Sequence, residues 1–460
     1  MLRAFAIAAG IGSAVLFVIV GQAFQLQLYG DGALFSYAVA AQDAWAFHWH
    51  NISGRVAVYL FTLAPAEIFV ALTGSPAAGI AVYGLLFFVS PLLGLGATYA
   101  ADRSQGRIIF AYACFSTAAL CPLVFGFPTE MWLAHSLFWP ALAVTHYARP
   151  GISGLALVFA LLLALILTHE GAIMLAVTIV ATVFLRGRRD PAFLRTAGAL
   201  IAALAVWVAV KLTLPPGDYF EGVLVRAALH FFDIAIFKNA VVLLLAGAIA
   251  GYAIVFLVVA RFAPAKAHIY AAIIVALCLA LYWLALDHSL HAANRYYMRS
   301  ALFAATLILG VLAALYALRG DGCLRLPRPS ELAMRAIAGA LMLVLLVHAV
   351  ETAKFVAEWT KYKAAVMALA TGEASDPALG DARFVSSARM SPDLNRMAWN
   401  STTPYLSVIL AGFNPTRLVV DPSGNYFWLS CKTATANFNA ARVVPARSRE
   451  LLRVYACLHR

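Results

Sequence analysis

The chain predicts a mainly α fold: a polytopic bundle of transmembrane helices that ends in a small α/β domain. Three observations carry that prediction. Of 460 residues, 63% are hydrophobic and only 12% are charged, with a mean hydropathy of +0.85. A soluble globular protein carries about 25% charged residues. Apolar runs fill residues 1–355, and each span of a hydrocarbon core takes about 20 helical residues. The charges also sort between alternate loops. One set is basic and holds Arg103, Arg107, Arg149, Arg186, Arg188, Arg189, Arg261, Lys266, Arg319, Arg325 and Arg328. The other holds Asp31, Asp43, Glu67, Glu130, Glu170, Asp218, Glu221 and Asp287. Positive loops mark the cytoplasmic side, so the acids collect on the outer face. The net charge of +12 follows from the short basic loops and implies no nucleic-acid partner.

Taken in order, the apolar runs predict spans at 4–24, 76–100, 108–125, 132–148, 152–167, 171–185, 196–214, 239–260, 268–286, 297–318 and 336–354. The first run, Ala4 to Phe24, follows Arg3, lacks a clear cleavage site and is long for a signal peptide, so it reads as a span. Residues 56–73 are apolar enough to span as well. A span there would turn Arg103, Arg107 and the next loops outward. With Pro65 and Glu67 inside it, the segment fits an interfacial or re-entrant helix. That choice gives about eleven spans, a cytoplasmic N-terminus and a long first outer loop, residues 25–75. Within that loop Ala33 to Phe47 reads as one helix, and Asn51-Ile52-Ser53-Gly54 as the turn before the next.

Beyond residue 355 the composition changes. Residues 356–370 read as helix and Gly372 to Asp381 as a polar linker. Thr403 to Leu410 reads as another helix. Short β-like runs lie at Arg417 to Val420, Tyr426 to Cys431 and Leu452 to Cys457. Residues 356–460 thus form a small outer α/β domain of ordinary domain size. Cys431 and Cys457 fall within it and fit either a disulfide in an oxidising compartment or two unpaired thiols. The abundance of Ala, Leu and Arg suggests a bacterium, hence an inner membrane with a periplasmic outer face.

Candidate chemistry gathers in the outer loops. Tyr29-Gly30-Asp31-Gly32 follows the first span. Its carboxylate fits a general base for a hydroxyl acceptor, a ligand of a divalent cation, or an ordinary turn aspartate. His48, Trp49, His50 and Arg55 lie further along the loop; the aromatics fit a membrane interface or a sugar platform, and histidines two apart make a poor shared metal site. Glu130 sits in the second outer loop. His169 and Glu170 interrupt an apolar stretch, which marks either a functional pair or the hairpin between two short spans. Arg295 and Arg299 are spaced i,i+4 on an outer loop, where the inward bias of positive charge does not explain them. That pair suits a phosphate or diphosphate, or pairs with Asp287, Glu130 or Glu170. His348, Glu351 and Lys354, spaced i,i+3, read as a local ion-pair ladder. No triad, Walker, zinc or haem motif is visible.

This pattern resembles the GT-C superfamily of polytopic glycosyltransferases, which includes protein O-mannosyltransferases, aminoarabinose transferases and oligosaccharyltransferases. The likeness covers most of residues 1–355. Asp31 matches the acid after the first span and Glu130 the acid of the second outer loop. Asn51-Ile52-Ser53-Gly54-Arg55 resembles a Gly-Arg element of some relatives, and Thr168-His169-Glu170 a His-Glu element of the same ones. Glu130 has no second carboxylate two residues away, a departure from the metal-dependent branch. The resemblance implies a polyprenyl-phosphate sugar as donor, a lipid or glycan acceptor, Asp31 as base and Arg295 or Arg299 at the lipid phosphate. Glu130, His169, Glu170, His48 and Arg55 are the further substrate-binding candidates, and a divalent cation is an optional cofactor. Two other classes compete. A transporter would carry ionisable groups at the bilayer midplane and paired repeats, neither of which is evident. A non-catalytic assembly protein for envelope polysaccharide would bind lipid-linked glycan without turnover.

Overall fold

The computed structural model describes residues 2–45, 55–121, 130–149, 151–187, 189–213, 240–285, 298–327, 329–372, 383–398, 402–420, 447 and 451–452. Helices dominate. They are α1 (Leu2–Ala23), α2 (Asp31–Ala40), α3 (Val56–Thr73), α4 (Pro76–Ala101), α5 (Ile108–Leu120), α6 (Glu130–Tyr147) and α7 (Ile152–Ile166). They continue with α8 (Ala172–Phe184), α9 (Pro191–Leu212), α10 (Ala240–Ala260), α11 (Ala267–Ala285), α12 (Met298–Gly320) and α13 (Glu331–Thr371). Eight of the described helices, α3 included, are long and apolar enough to cross a membrane; α5, α7 and α8 are apolar but shorter. The chain is therefore a multi-pass, mainly helical membrane protein.

Local chemistry starts several of these helices. Ser75, Asp190 and Ser330 accept backbone N–H groups in the first turns of α4, α9 and α13. Proline follows the cap in α4 and α9, where its missing N–H costs nothing. Pro65 has the opposite effect. It cannot donate to the preceding turn, and α3 widens into a π-helical stretch over Tyr59–Leu63 just before it.

The helices pack with their charged ends sorted. At one end Arg3 approaches Gly106, and Tyr147 donates to Asp321 at 2.6 Å. Arg186 lies over the Tyr147 ring, and Arg107 over the Tyr99 ring. Asp102 ties that end together by accepting from Ser104 N (2.8 Å) and Phe110 N (2.9 Å). At the other end Gln22 meets Ala81, Ala57 N donates to Leu167 O, and Trp359 donates to Phe24 O. These will be called the Arg3 end and the Asp31 end.

Close crossings hold the middle. A Cβ on Gly10 would strike the Cys114 backbone, and one on Gly94 the Ser136 backbone. Small residues at such points let helix backbones approach, which replaces the hydrophobic driving force that lipid removes. Phe17 of α1 packs against Phe87, Phe88 and Trp132 with ring centroids 5.9, 5.1 and 5.3 Å away. Helix α6 is buried nearly all round, which is why it tolerates His135 and His146. His135 shares its Nε2 with Ser116 Oγ (3.0 Å) and Trp139 Nε1 (3.2 Å).

Helix α3 leaves and returns to the same end. Arg55, before its first turn, contacts Glu130 at the start of α6. Its last turns pack at Gly79 of α4, and α4 runs from there towards Gly106 and Arg3. Leu60, Phe61, Ile68 and Leu72 on its outer surface are exposed.

Helix α13 is one continuous rod of 41 residues, about 60 Å, so no break falls at residue 355. Its His348 bonds to Ala119 O at 2.8 Å, and Glu351 accepts from Trp283 at 2.8 Å. Two members of the expected ladder thus also reach two other helices. Beyond α13, β1 (Phe384–Ser386) and β2 (Leu418–Val420) pair in parallel, joined by a crossover that contains α14 (Thr403–Leu410). Helix α14 and strand β2 match the runs read from the sequence; β1 was not foreseen, and Leu452 is helical where a strand was expected. The expected strand at 426–431, Cys431, Cys457 and the turn at 51–54 lie outside the described residues.

Candidate active site at the Asp31 end

The chain between α1 and α2 is built to present one carboxylate. Gln25 (φ 54) reverses the backbone after α1, and Leu26–Leu28 form a single 3₁₀ turn. Gly30 then takes φ 62 and ψ −137, which a side chain would resist. Asp31 follows as the first residue of α2, where the helix dipole favours negative charge. Helix α13 clamps this turn from the side. Trp359 Nε1 and Lys363 Nζ both donate to Phe24 O, at 3.0 and 2.9 Å. Tyr29 packs edge-on against Phe355 and Trp359, at 5.0 and 5.5 Å. The crossover helix α14 covers α2, with Tyr405 on Tyr37 at 5.4 Å and Thr403 hydrogen-bonded to Tyr362 at 3.2 Å.

Next to that turn lies a chain of paired charges. Arg55 donates through Nη1 to Glu130 Oε1 and through Nη2 to Glu170 Oε2, the latter at 3.0 Å. Lys211, near the end of α9, donates to Glu170 Oε1 at 2.8 Å. All four side chains are largely shielded, Glu130 most of all at 4% exposure. Two cations thus balance two carboxylates drawn from four separate stretches of chain. Glu130 Oε2 is buried and finds no hydrogen bond among the described residues. The fully buried Tyr83 of α4 lies within electrostatic reach of both Glu130 and Asp31, so the two acids share one neighbourhood.

His169 sits at the edge of this network. Its Nδ1 accepts the Gly171 N–H at 2.9 Å, and its ring lies against Phe303 at 5.7 Å. The same Nδ1 lies 3.9 Å from Glu170 Oε2. The His169-Glu170 turn is the hairpin between α7 and α8, and its carboxylate belongs to the charge network. Burial would raise the Glu170 carboxyl, but Arg55, His169 and Lys211 more than offset it and hold the group well below the usual carboxylate range.

A second acidic pair fixes α3. Glu67 accepts from Ala44 N (2.6 Å) and Tyr59 OH (3.3 Å), while Trp45 packs on Tyr59 at 4.7 Å. Burial, with Glu67 beside it, raises the Asp43 carboxyl to about 7.

Of the residues picked from the sequence, the structure brings Arg55, Glu130 and Glu170 into direct contact and sets Asp31 and His169 beside them. Arg299 lies in the first turn of α12. His48 and Arg295 lie outside the described residues. Among the described residues Glu130 meets Arg55, and Glu170 meets Arg55 and Lys211. Lys211 stands out in the sequence as the nearest to an intramembrane charge, close to the outer end of a span, but not as a site candidate, although a lysine in an apolar run needs a partner. Among the described residues no group of three or more His, Cys, Asp or Glu stands together to hold a metal ion. No family model, no curated protein and no solved structure matches the chain.

Proposed function

We propose that the chain is a membrane glycosyltransferase that moves a sugar from a polyprenyl-phosphate donor to an acceptor hydroxyl. The observation that supports this best is the convergence at one bundle end of Asp31 with the Arg55–Glu130–Glu170–Lys211 network. It lies opposite the basic end that contains Arg3 and Arg107. In this reading the Arg3 end is cytoplasmic, and the Asp31 end faces the periplasm of a bacterial inner membrane. Helix α3, with both ends at the Asp31 end, lies along the membrane surface, which leaves eleven spans. The outer α/β domain roofs the first loop.

The chemistry is an ordinary displacement at carbon. Asp31 takes the proton of the acceptor hydroxyl, and its oxygen attacks the anomeric carbon. The bond from that carbon to the lipid phosphate oxygen breaks, and the electron pair leaves with the phosphate. Cations fixed in a poorly hydrated site stabilise that leaving charge, with Arg295 and Arg299 the first candidates from sequence.

The test is transfer by full-length protein in lipid nanodiscs, offered a panel of radiolabelled polyprenyl-phosphate sugars. Wild type should release sugar from one donor, and Asp31→Asn should abolish release with the protein still folded. Retained activity in Asp31→Asn removes the assigned base. Binding without release for any donor, with acceptors supplied, favours a non-catalytic assembly protein. Neither binding nor release favours a transporter.

A further inference from the structure

Glu170 and Glu130 are both acids of the network, yet they are held differently. Glu130 is almost inaccessible, begins α6 and, among the described residues, meets Arg55 as its cation. Glu170 sits on the short turn between α7 and α8, is 17% exposed, and has one cation on each oxygen: Arg55 on Oε2 and Lys211 on Oε1. Those cations come from elements more than 150 positions apart in the chain (55 and 211). A carboxylate gripped this way presents two anionic oxygens to two fixed donors. A phosphate group presents the same pair of anionic oxygens. Glu130 also holds Arg55, and Lys211 is carried by the last turn of α9.

We propose that Arg55 and Lys211 form the binding site for the phosphate of an incoming ligand, and that Glu170 occupies this site until the ligand displaces it. The inference rests on the reading above that the ligand carries a phosphate, and it moves that group from Arg295 and Arg299 to a pair seen in contact. Exchange keeps both cations paired with an anion in both states. It also makes the site selective, because a neutral lipid alcohol offers nothing to the two cations that Glu170 does not offer better.

The test is equilibrium binding to full-length protein in nanodiscs by titration calorimetry. The probes are geranyl phosphate, inorganic phosphate and geraniol. Glu170→Gln removes the internal competitor and should tighten geranyl phosphate binding about tenfold or more, the scale of one charge-assisted hydrogen bond. Lys211→Met should weaken it at least tenfold. Glu170→Gln with Lys211→Met restores charge balance and should lose the gain, which guards against a single variant that misfolds. An equal gain for inorganic phosphate means the site reads the phosphate alone; a gain confined to geranyl phosphate means the lipid contributes. Either supports the proposal. Unchanged or weaker binding in folded Glu170→Gln, unchanged binding in Lys211→Met, or a gain for geraniol overturns it. No sugar transfer enters this readout. Phosphate binding without transfer leaves the cradle standing and removes the transferase; transfer without the Lys211 effect does the reverse.

Discussion

Replacing Arg55 with Met separates the buried charge network into its parts. Methionine keeps the length and the apolar stem but removes the cation that joins Glu130 to Glu170. The two carboxylates lose unequal amounts. Glu170 keeps Lys211 at 2.8 Å, whereas Glu130, at 4% exposure, is left charged, its Oε2 already without a hydrogen bond among the described residues. Stripping one partner from a buried pair costs about 3–5 kcal/mol, because an uncompensated charge remains. Arg55→Met should therefore lower stability by about that much, nearly all of it through Glu130. Adding Glu130→Gln removes the stranded charge and should restore all but about 1 kcal/mol, the net worth of the lost hydrogen bond. Adding Glu170→Gln instead should restore little, since Glu130 stays stranded and Lys211 loses its anion. Equilibrium unfolding in mixed micelles, followed by tryptophan fluorescence, reads all four proteins. A loss in Arg55→Met of under about 1 kcal/mol, the scale of a solvated surface pair, would refute the reasoning. So would equal rescue by the two second substitutions.

Two further outcomes follow from the same end of the molecule. Asp43 binds its proton more tightly folded (about 7) than unfolded (3.8), so its stabilisation is complete below 3.8 and fades as pH rises through 7. Unfolding measured from about pH 5 to about pH 8 should show that decline in wild type and a shallower one in Asp43→Asn; identical slopes would refute it. Trp359→Phe deletes one of the two donors to Phe24 O and should cost about 1 kcal/mol. If that clamp aims Asp31, kcat for transfer falls with KM unchanged, whereas a purely structural contact would lower stability alone.

Much of the helical framework was legible because lipid imposes a simple code. Length and hydropathy place a span, and loop charge orients it, so the runs beginning near residues 76, 108, 152, 196 and 268 correspond to helices that start within a few residues. Asp31 was legible too, since Gly on its N-terminal side announces a backbone turn that the structure shows at φ 62. Partnerships were not. Arg55 could be seen as an outer-face cation, but nothing in its neighbourhood names Glu130 or Glu170, 75 and 115 positions away. Lys211 shows the limit from the other side. It is conspicuous as a charge in an apolar run, yet hydropathy alone cannot say whether it snorkels to water or meets an acid.

The strand β1 escaped for a related reason. Three residues, Phe384–Ser386, carry too little alternation to declare a strand, and only their partner at 418–420 makes them one. That small parallel unit matters because of what it rests on. Its crossover helix lies on α2, while the C-terminal half of α13 holds the turn before Asp31 through contacts 335 positions apart in sequence. The first loop alone could not keep a carboxylate in place, since ten helical residues in water are marginal without tertiary support. The support comes from the final quarter of the chain, the part least interpretable as sequence. Substitutions in α14 should thus act on the first loop: loosening Tyr405 from Tyr37 removes the cover of α2 while leaving the spans, and the ion pairs of Arg55, untouched.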